Sequence, residues 1–200
     1  MLAPLSGHHN VRNTVAAIAL ASEGAGCDLA TTIKAVQGFL GVKRRQELLG
    51  VVDGVRVYED FAHHPTAVKE TLRGLRERHP EGRLLAAFEP RSATASRSLH
   101  QAEYPEAFAD ADLAFLAPVG RPEIAKEEKL DVEALAEVIR THGKPAEAPP
   151  TIEDLTARLV AEAAPGDTIL LMSNGPFGGI YDKVLTGLAA RAMHPRAARG

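Results

Sequence analysis

The sequence predicts an α/β protein: a Rossmann-like domain with a mixed, mostly parallel sheet, opened by an antiparallel hairpin and preceded by a short helical segment. Three observations carry that prediction. From residue 55 onward, short apolar or β-branched runs alternate with amphipathic stretches of helical length, the signature of parallel strands joined by crossover helices. Asp53-Gly54 separates two β-rich runs, and Asp-Gly is a strong two-residue hairpin signal because both central positions need positive φ. Finally, three of the apolar runs end in loops of polar or glycine-rich residues, and open α/β sheets bind ligands at the carboxyl ends of their strands.

In chain order, Gly7 to Gly24 reads as a polar loop and then a helix, with Asn10 as the expected N-cap. Asp28 is a second cap, for a helix over Leu29 to Phe39 whose apolar positions Leu29, Ile33, Val36 and Leu40 recur at helical spacing. Two short helices with no strand to cover make a poor domain, so residues 1–40 are expected to be the end of something larger. Gly38 to Gly41 forms a boundary, after which Glu47 to Val52 and Val55 to Tyr58 are strands. Pro65 to Arg78 is a helix with Val68, Leu72 and Leu75 on one face. The alternation continues with a strand Arg83 to Phe88, a helix Ser98 to Ala109, a strand Asp112 to Ala117, and a helix Val132 to Thr141 after its cap Asp131. A weak strand near Pro145 to Ala148, a helix Ile152 to Ala163, the apolar strand Thr168 to Met172 and a last helix Ile180 to Ala190 complete it. The expected division is a helical piece at 1–40, an α/β domain at 41–190, and a frayed tail at 191–200 that carries Arg191, His194, Arg196 and Arg199.

Composition excludes several classes. Hydrophobic residues at 45% and charged residues at 24% are ordinary for a globular protein with a core. A formal net charge of -3 gives no electrostatic reason to expect nucleic acid or an acidic membrane. The single cysteine, Cys27, allows neither an internal disulfide nor a thiolate metal cage. Met1-Leu2-Ala3-Pro4 lacks the charged and apolar regions of a signal peptide, and no apolar run approaches the ~20 residues of a membrane span, so a cytoplasmic location is expected. There is no Walker A sequence, no G-x-G-x-x-G, no metal-ligand quartet and no nucleophile elbow. Neither catalytic residues nor metal ligands are therefore expected here, only binding groups.

Four constellations stand out. Asp60, with His63 and His64 shortly after, ends a strand; a carboxylate there suits a ribose, or merely caps the next helix. Adjacent histidines point in different directions and grip one metal poorly. Phe88-Glu89-Pro90-Arg91-Ser92-Ala93-Thr94 leaves a second strand end, where the Arg91 fork suits carboxylate or phosphate. Ser92 and Thr94 add hydroxyls for a ligand or for a helix cap. Ser173-Asn174-Gly175-Pro176-Phe177-Gly178-Gly179 leaves a third, and its glycines let backbone approach a ligand closely. Lys43-Arg44-Arg45 lies at the boundary, as solvated surface or as a reach toward phosphate. Three such loops at one sheet edge would share a crevice.

These residues resemble the ATP-dependent Mur ligases of peptidoglycan synthesis. Gly7-His8-His9-Asn10-Val11-Arg12-Asn13 with Ala16-Ala17 is similar to the G-x-H-N-x-x-N-x-x-A-A closing that family's central ATPase domain. Gly41-Val42-Lys43-Arg44-Arg45-Gln46-Glu47 resembles its linker, and Asp60-Phe61-Ala62-His63-His64-Pro65 the D-[YF]-[AG]-H-x-P of its C-terminal domain. Two branches share the histidine pair, one adding L-alanine to UDP-N-acetylmuramate and the other, a recycling branch, adding the whole murein tripeptide. The 88–94 and 173–180 stretches resemble the recycling branch's F-E-P-R-S-N-T and S-N-G-x-F-G-G-I, with Ala93 a departure where Asn is usual. The resemblance implies nucleotide contacts from His9, Asn10, Asn13, Arg45, Asp60 and His63. It implies peptide contacts from His64, Arg91, Ser92, Thr94, Ser173, Asn174, Gly175 and Phe177. It also implies ATP and Mg²⁺ as cofactors, both held mainly by a central domain, and UDP-N-acetylmuramate and murein tripeptide as substrates. Amide formation would proceed through an acyl phosphate. The family's UDP-binding domain and phosphate loop precede these motifs, so the chain is expected to be a C-terminal fragment, inactive alone. The exposed apolar faces of 1–40 are expected to favour self-association.

Overall fold

The computed structural model describes residues 7–39, 41–121 and 123–193. Leu40 and the tail residues His194, Arg196 and Arg199 lie outside them. Two helices, α1 (His8–Ala19) with a π-helical extension (Leu20–Gly24) and α2 (Leu29–Gln37), precede the sheet. Asp28 caps α2 through its side chain, which accepts from the Thr31 N–H at 2.8 Å. Asn10 does not cap α1. The helix starts two residues earlier, after Gly7 at φ 93, whose carbonyl accepts from the Asn10 and Val11 N–H groups. Asn10 therefore lies in the first turn.

Six strands follow, β1 (Glu47–Val52), β2 (Val55–Asp60), β3 (Leu84–Phe88), β4 (Leu113–Leu116), β5 (Ala146–Glu147) and β6 (Thr168–Met172), ordered β1-β2-β6-β3-β4-β5. β1 is antiparallel to β2, and the pairs from β2 to β5 are parallel, as the mixed sheet requires. Asp53 and Gly54 both take positive φ, at 52 and 72, which closes the β1–β2 hairpin with the twist that strands prefer. Helices α3 (Pro65–Arg78), α4 (Tyr104–Ala107) and α5 (Val132–Thr141) cover one face, and α6 (Ile152–Glu162) and α7 (Ile180–Met193) the other.

Strands β2, β3, β4 and β6 are buried on both faces, so their side chains alternate between two cores, whereas the edge strand β1 leaves Leu48 and Val51 exposed. In β6, Leu170 and Met172 join Val68, Leu72 and Leu75 of α3, while Ile169 and Leu171 join Leu155 and Leu159 of α6 and Val184 and Leu188 of α7. The expected helix over 98–109 is broken. A 3₁₀ turn (Ser98–His100) leads to the four-residue α4, with Pro105 in its first turn, because proline can open a helix but cannot sit inside one. Arg191 is no part of a frayed tail. It lies in α7, donates to the Val160 carbonyl at 2.6 Å and reaches Asp53 at 2.8 Å.

By contrast, α1 buries none of its residues, and Val11, Val15, Leu20, Leu29 and Phe39 are exposed. α1 docks on α3, where Gly74 lets the Gly7 backbone approach; a Cβ on Gly74 would stand 3.2 Å from it.

Candidate functional site

The parallel register sets the site. Asp60 of β2 pairs with Met172 of β6, and Met172 with Phe88 of β3. The loops after Asp60, Phe88 and Met172 therefore leave the sheet side by side. Backbone bonds tie them: the Ser173 N–H donates to the Asp60 carbonyl at 3.1 Å and the Glu89 N–H to the Met172 carbonyl at 2.9 Å.

On one side of this edge is a cavity of about 590 Å³ between α1, α2, the 42–46 linker and α3. His9, Asn10, Asn13, Arg45 and Asp60 line it, with Ala17, Val36, Phe39 and Val42 as apolar walls. Asp60 is 2% exposed. Its carboxylate accepts from the Gln46 N–H at 2.8 Å and the Ala62 N–H at 2.7 Å, with the Thr71 hydroxyl at 3.4 Å. It thus holds the linker and its own loop and does not cap α3. Burial pushes its pKa above the usual carboxylate value, and the two N–H bonds, the nearby Arg45 charge and the Thr71 hydroxyl oppose that.

His63 stands outside the cavity lining. Its Nδ1 is 2.9 Å from the Phe61 carbonyl, and its ring meets the Phe61 ring edge-on at 5.4 Å. Phe61 in turn lies under the guanidinium groups of Arg44 and Arg45, at 5.2 and 5.6 Å. His64 points elsewhere, against His100 at 4.5 Å between ring centres. The adjacent histidines diverge as expected, and among the described residues no group of three or more His, Cys, Asp or Glu could hold a metal.

On the other side, the 88–94 and 173–179 loops meet. Arg91, 41% exposed at its side chain, lies 3.6 Å from Glu89, whose side chain is 6% exposed. Glu89 also accepts from the Ser173 hydroxyl at 2.5 Å, and that hydroxyl accepts from the Gly175 N–H at 2.9 Å. A Cβ on Gly175 would run into the Arg91 side chain, so the glycine is what lets Arg91 lie across the loop. Arg121 donates to the Arg91 carbonyl at 2.8 Å and steadies its backbone.

Three of the expected peptide-contacting side chains are otherwise engaged. The Ser173 hydroxyl is fully buried and used internally. Ser92 accepts from the Ala95 N–H at 3.0 Å, so it caps the local turn. Phe177 is wholly buried in the core against Tyr181, so its side chain seats the loop and offers no surface. Arg91, Asn174, Gly175 and Thr94 remain on the rim.

Residues 44–175 match the Mur ligase, glutamate ligase domain family. The chain belongs to the Mur ligases. The Escherichia coli K12 UDP-N-acetylmuramate--L-alanyl-gamma-D-glutamyl-meso-2,6-diaminoheptandioate ligase is 39% identical over 190 residues, 94% of this chain and 39% of its own length. A Caulobacter vibrioides UDP-N-acetylmuramate--L-alanine ligase is 36% identical over 176 residues, 86% of this chain and 36% of its own. The crystal structure of a murein peptide ligase from Psychrobacter arcticus superposes with a TM-score of 0.67 at 34% identity, covering 97% of this chain and 38% of that one. The chain thus spans about two fifths of the length of these Mur ligases.

Four residues of this candidate site were given no individual role from sequence. Glu89 holds both Arg91 and Ser173. Arg44 pairs with Glu59 and donates to the Ser173 and Gly175 carbonyls at 2.8 and 2.7 Å, fastening the linker to the glycine-rich loop. Tyr181 reaches the Gly175 carbonyl at 3.3 Å, and Gln46 lines the cavity. Glu89, Arg44 and Gln46 lay inside quoted motifs, and Tyr181 did not. A carboxylate between a buried strand and Pro90-Arg91 was the available signal, whereas no spacing rule separates Arg44 from Arg45.

Proposed function

We propose that this chain is the nucleotide- and peptide-gripping end of an ATP-dependent ligase that joins murein tripeptide, L-Ala-γ-D-Glu-meso-diaminopimelate, to UDP-N-acetylmuramate. The carrying observation is that neighbouring strand ends feed two different pockets at one sheet edge: an apolar-walled cavity with polar ends, and a rim built around Arg91. The greater identity to a tripeptide-adding relative than to an alanine-adding one supports the substrate class.

In this reading residues 7–39 belong to the ATP-binding half and residues 41–193 form the C-terminal domain. The exposed apolar residues of α1 and α2 would be covered by the rest of that half. ATP fits the cavity, whose carboxamides and flat apolar walls suit a base, with Asp60 toward the ribose and Arg45 toward phosphate. ATP supplies the phosphoryl group that activates the muramate carboxylate. Among the described residues no group of three or more His, Cys, Asp or Glu could hold Mg²⁺. Arg91 would take a peptide carboxylate through its planar fork, held by Glu89 and backed by the 173–175 backbone. These groups bind and orient the substrates. The reaction would run in the cytoplasm.

The test is ligation by the full-length gene product with tripeptide or L-alanine as acceptor. Tripeptide should be preferred. Arg91→Ala should raise the KM for tripeptide about 10- to 100-fold, as expected for a lost charge-assisted pair, while leaving the KM for ATP within about twofold. Equal effects on both substrates would overturn the Arg91 role. Preference for L-alanine would overturn the substrate class. Turnover by the 200 residues alone would show the chain to be more than one end of a ligase.

A further inference from the structure

Because α1 buries none of its residues, little apolar surface holds it against α3. The contact has instead a bare backbone approach and two pairs of histidine with glutamate. Gly7 meets Gly74 with no side chain between them. Glu70 and Glu77 lie one turn before and one turn after Gly74, on the same face of α3. His9 Nδ1 stands 3.8 Å from Glu70, and His8 Nε2 3.9 Å from Glu77. Both distances exceed a hydrogen bond, and His9 Nδ1 is buried without a partner. A neutral imidazole brings no charge to either acid. The other charges around the two rings are Arg73 of α3, paired with Glu77 at 3.2 Å, and Arg12, one turn along α1. Arg45 and Asp60 share the cavity lining with His9, and α2 adds no charged residue to it.

We infer that His8, His9, Glu70 and Glu77 form a proton-operated latch that holds α1 on α3. Taking up a proton makes His9 Nδ1 a charged N–H donor facing Glu70, whichever tautomer was present before. It gives His8 the same charge toward Glu77. Both pairs exist only while α1 is docked, so docking and proton uptake favour each other. The docked share therefore rises as pH falls through the range in which histidines gain a proton, about pH 8 to 5, and is lost as pH rises again. Since α1 and α3 both wall the cavity, the latch tightens it in acid and loosens it in base. The latch needs no nucleotide and stands or falls apart from the function proposed above.

α1 has 12 residues, too few for a stable isolated helix in water, so its backbone amides exchange when it leaves α3. Hydrogen exchange by ¹H–¹⁵N NMR on the 200-residue chain, from about pH 8 to about pH 5.5, reads the docked share after correction for the intrinsic pH dependence of exchange. Protection of the amides from Thr14 to Ala19 should rise about 3- to 10-fold as pH falls, the value of two partly exposed pairs. Glu70→Gln together with Glu77→Gln should flatten that rise, and Glu70→Gln alone should remove about half of it. Glu106→Gln, which removes the acid 3.8 Å from the remote His142, should leave it intact. The same rise in the double variant, no rise in the wild type, or no protection of α1 at any pH would each overturn the latch.

Discussion

Replacing Arg44 by alanine removes a guanidinium that four groups share. It pairs with Glu59, donates to the carbonyls of Ser173 and Gly175, and reaches the Tyr181 hydroxyl at 3.5 Å. The Glu59 side chain is 11% exposed and that of Arg44 33%, so truncation strands a largely buried carboxylate. Breaking a fully buried pair costs about 3–5 kcal/mol. Both partners keep some contact with water, which lowers the figure to about 2–3 kcal/mol. The two freed carbonyls can bind water and add roughly 1 kcal/mol. The sum, about 3–4 kcal/mol, lowers the melting temperature of a chain this size by about 6–16 °C. Arg44→Lys keeps the charge near Glu59, but one ammonium cannot span the carboxylate and both carbonyls, so about half the loss is expected. Thermal unfolding by circular dichroism measures the shift, and hydrogen exchange over residues 173–179 reports whether the loop loosens. A melting temperature within about 2 °C of the wild type in Arg44→Ala, or unchanged exchange in that loop, would refute the view that Arg44 fastens the linker to it.

Two further outcomes follow from the packing. His79 Nε2 lies 2.9 Å from the Tyr58 hydroxyl, and burial first, then the charges of Arg56 and Arg78, hold its pKa below the ordinary value of 6.5. The folded state binds this proton less readily than the unfolded state, so the contribution is intact above pH 6.5 and is lost as pH falls from 6.5 through the folded pKa. Urea midpoints across that window should show the decline, and His79→Gln should flatten it; an identical slope in the variant would dismiss His79 as the source. Gly82→Ala should destabilise by roughly 2–4 kcal/mol, because φ is 80 and the new Cβ would run into the Gly166 carbonyl. Gly143→Ala, at φ 79 with nothing within 4 Å, should cost only about 1–2 kcal/mol. Equal urea midpoints for the two variants would contradict the clash.

Much of the framework was legible because local chemistry and tertiary structure agree. Asp53-Gly54 makes its hairpin, Asp131 caps α5 with a 2.9 Å bond to the Ala134 N–H, and Thr168 to Met172 is β6. The shared edge was legible too, since alternation implies a parallel sheet and a parallel sheet aligns its carboxyl ends. Side-chain direction was not. Phe177 looked available in a loop of glycines, but φ 47 turns it into the core. Arg44 and Arg45 are neighbours of one type, and only the left-handed backbone at Arg44, φ 59, explains how one can grip the glycine loop while the other lines the cavity. The early start of α1 and the short α4 are boundary effects, set by Gly7 and Pro105.

The level ending of β2, β6 and β3 makes the sheet a ruler for its ligands. One residue inserted within β6 would carry the 173–179 loop about 3.3 Å onward and turn each later side chain to the opposite face. Ser173 would leave Glu89, and the carbonyls that Arg44 grips would slide past it. The opposite, amino-terminal end of the strands carries no such constraint from the two pockets; there Gly54 and Gly166 bond to each other and Asp167 clasps Arg83. Insertions, tags or fused partners are therefore best tolerated at that pole, while any change of length between strand and loop at the other pole resets both pockets at once.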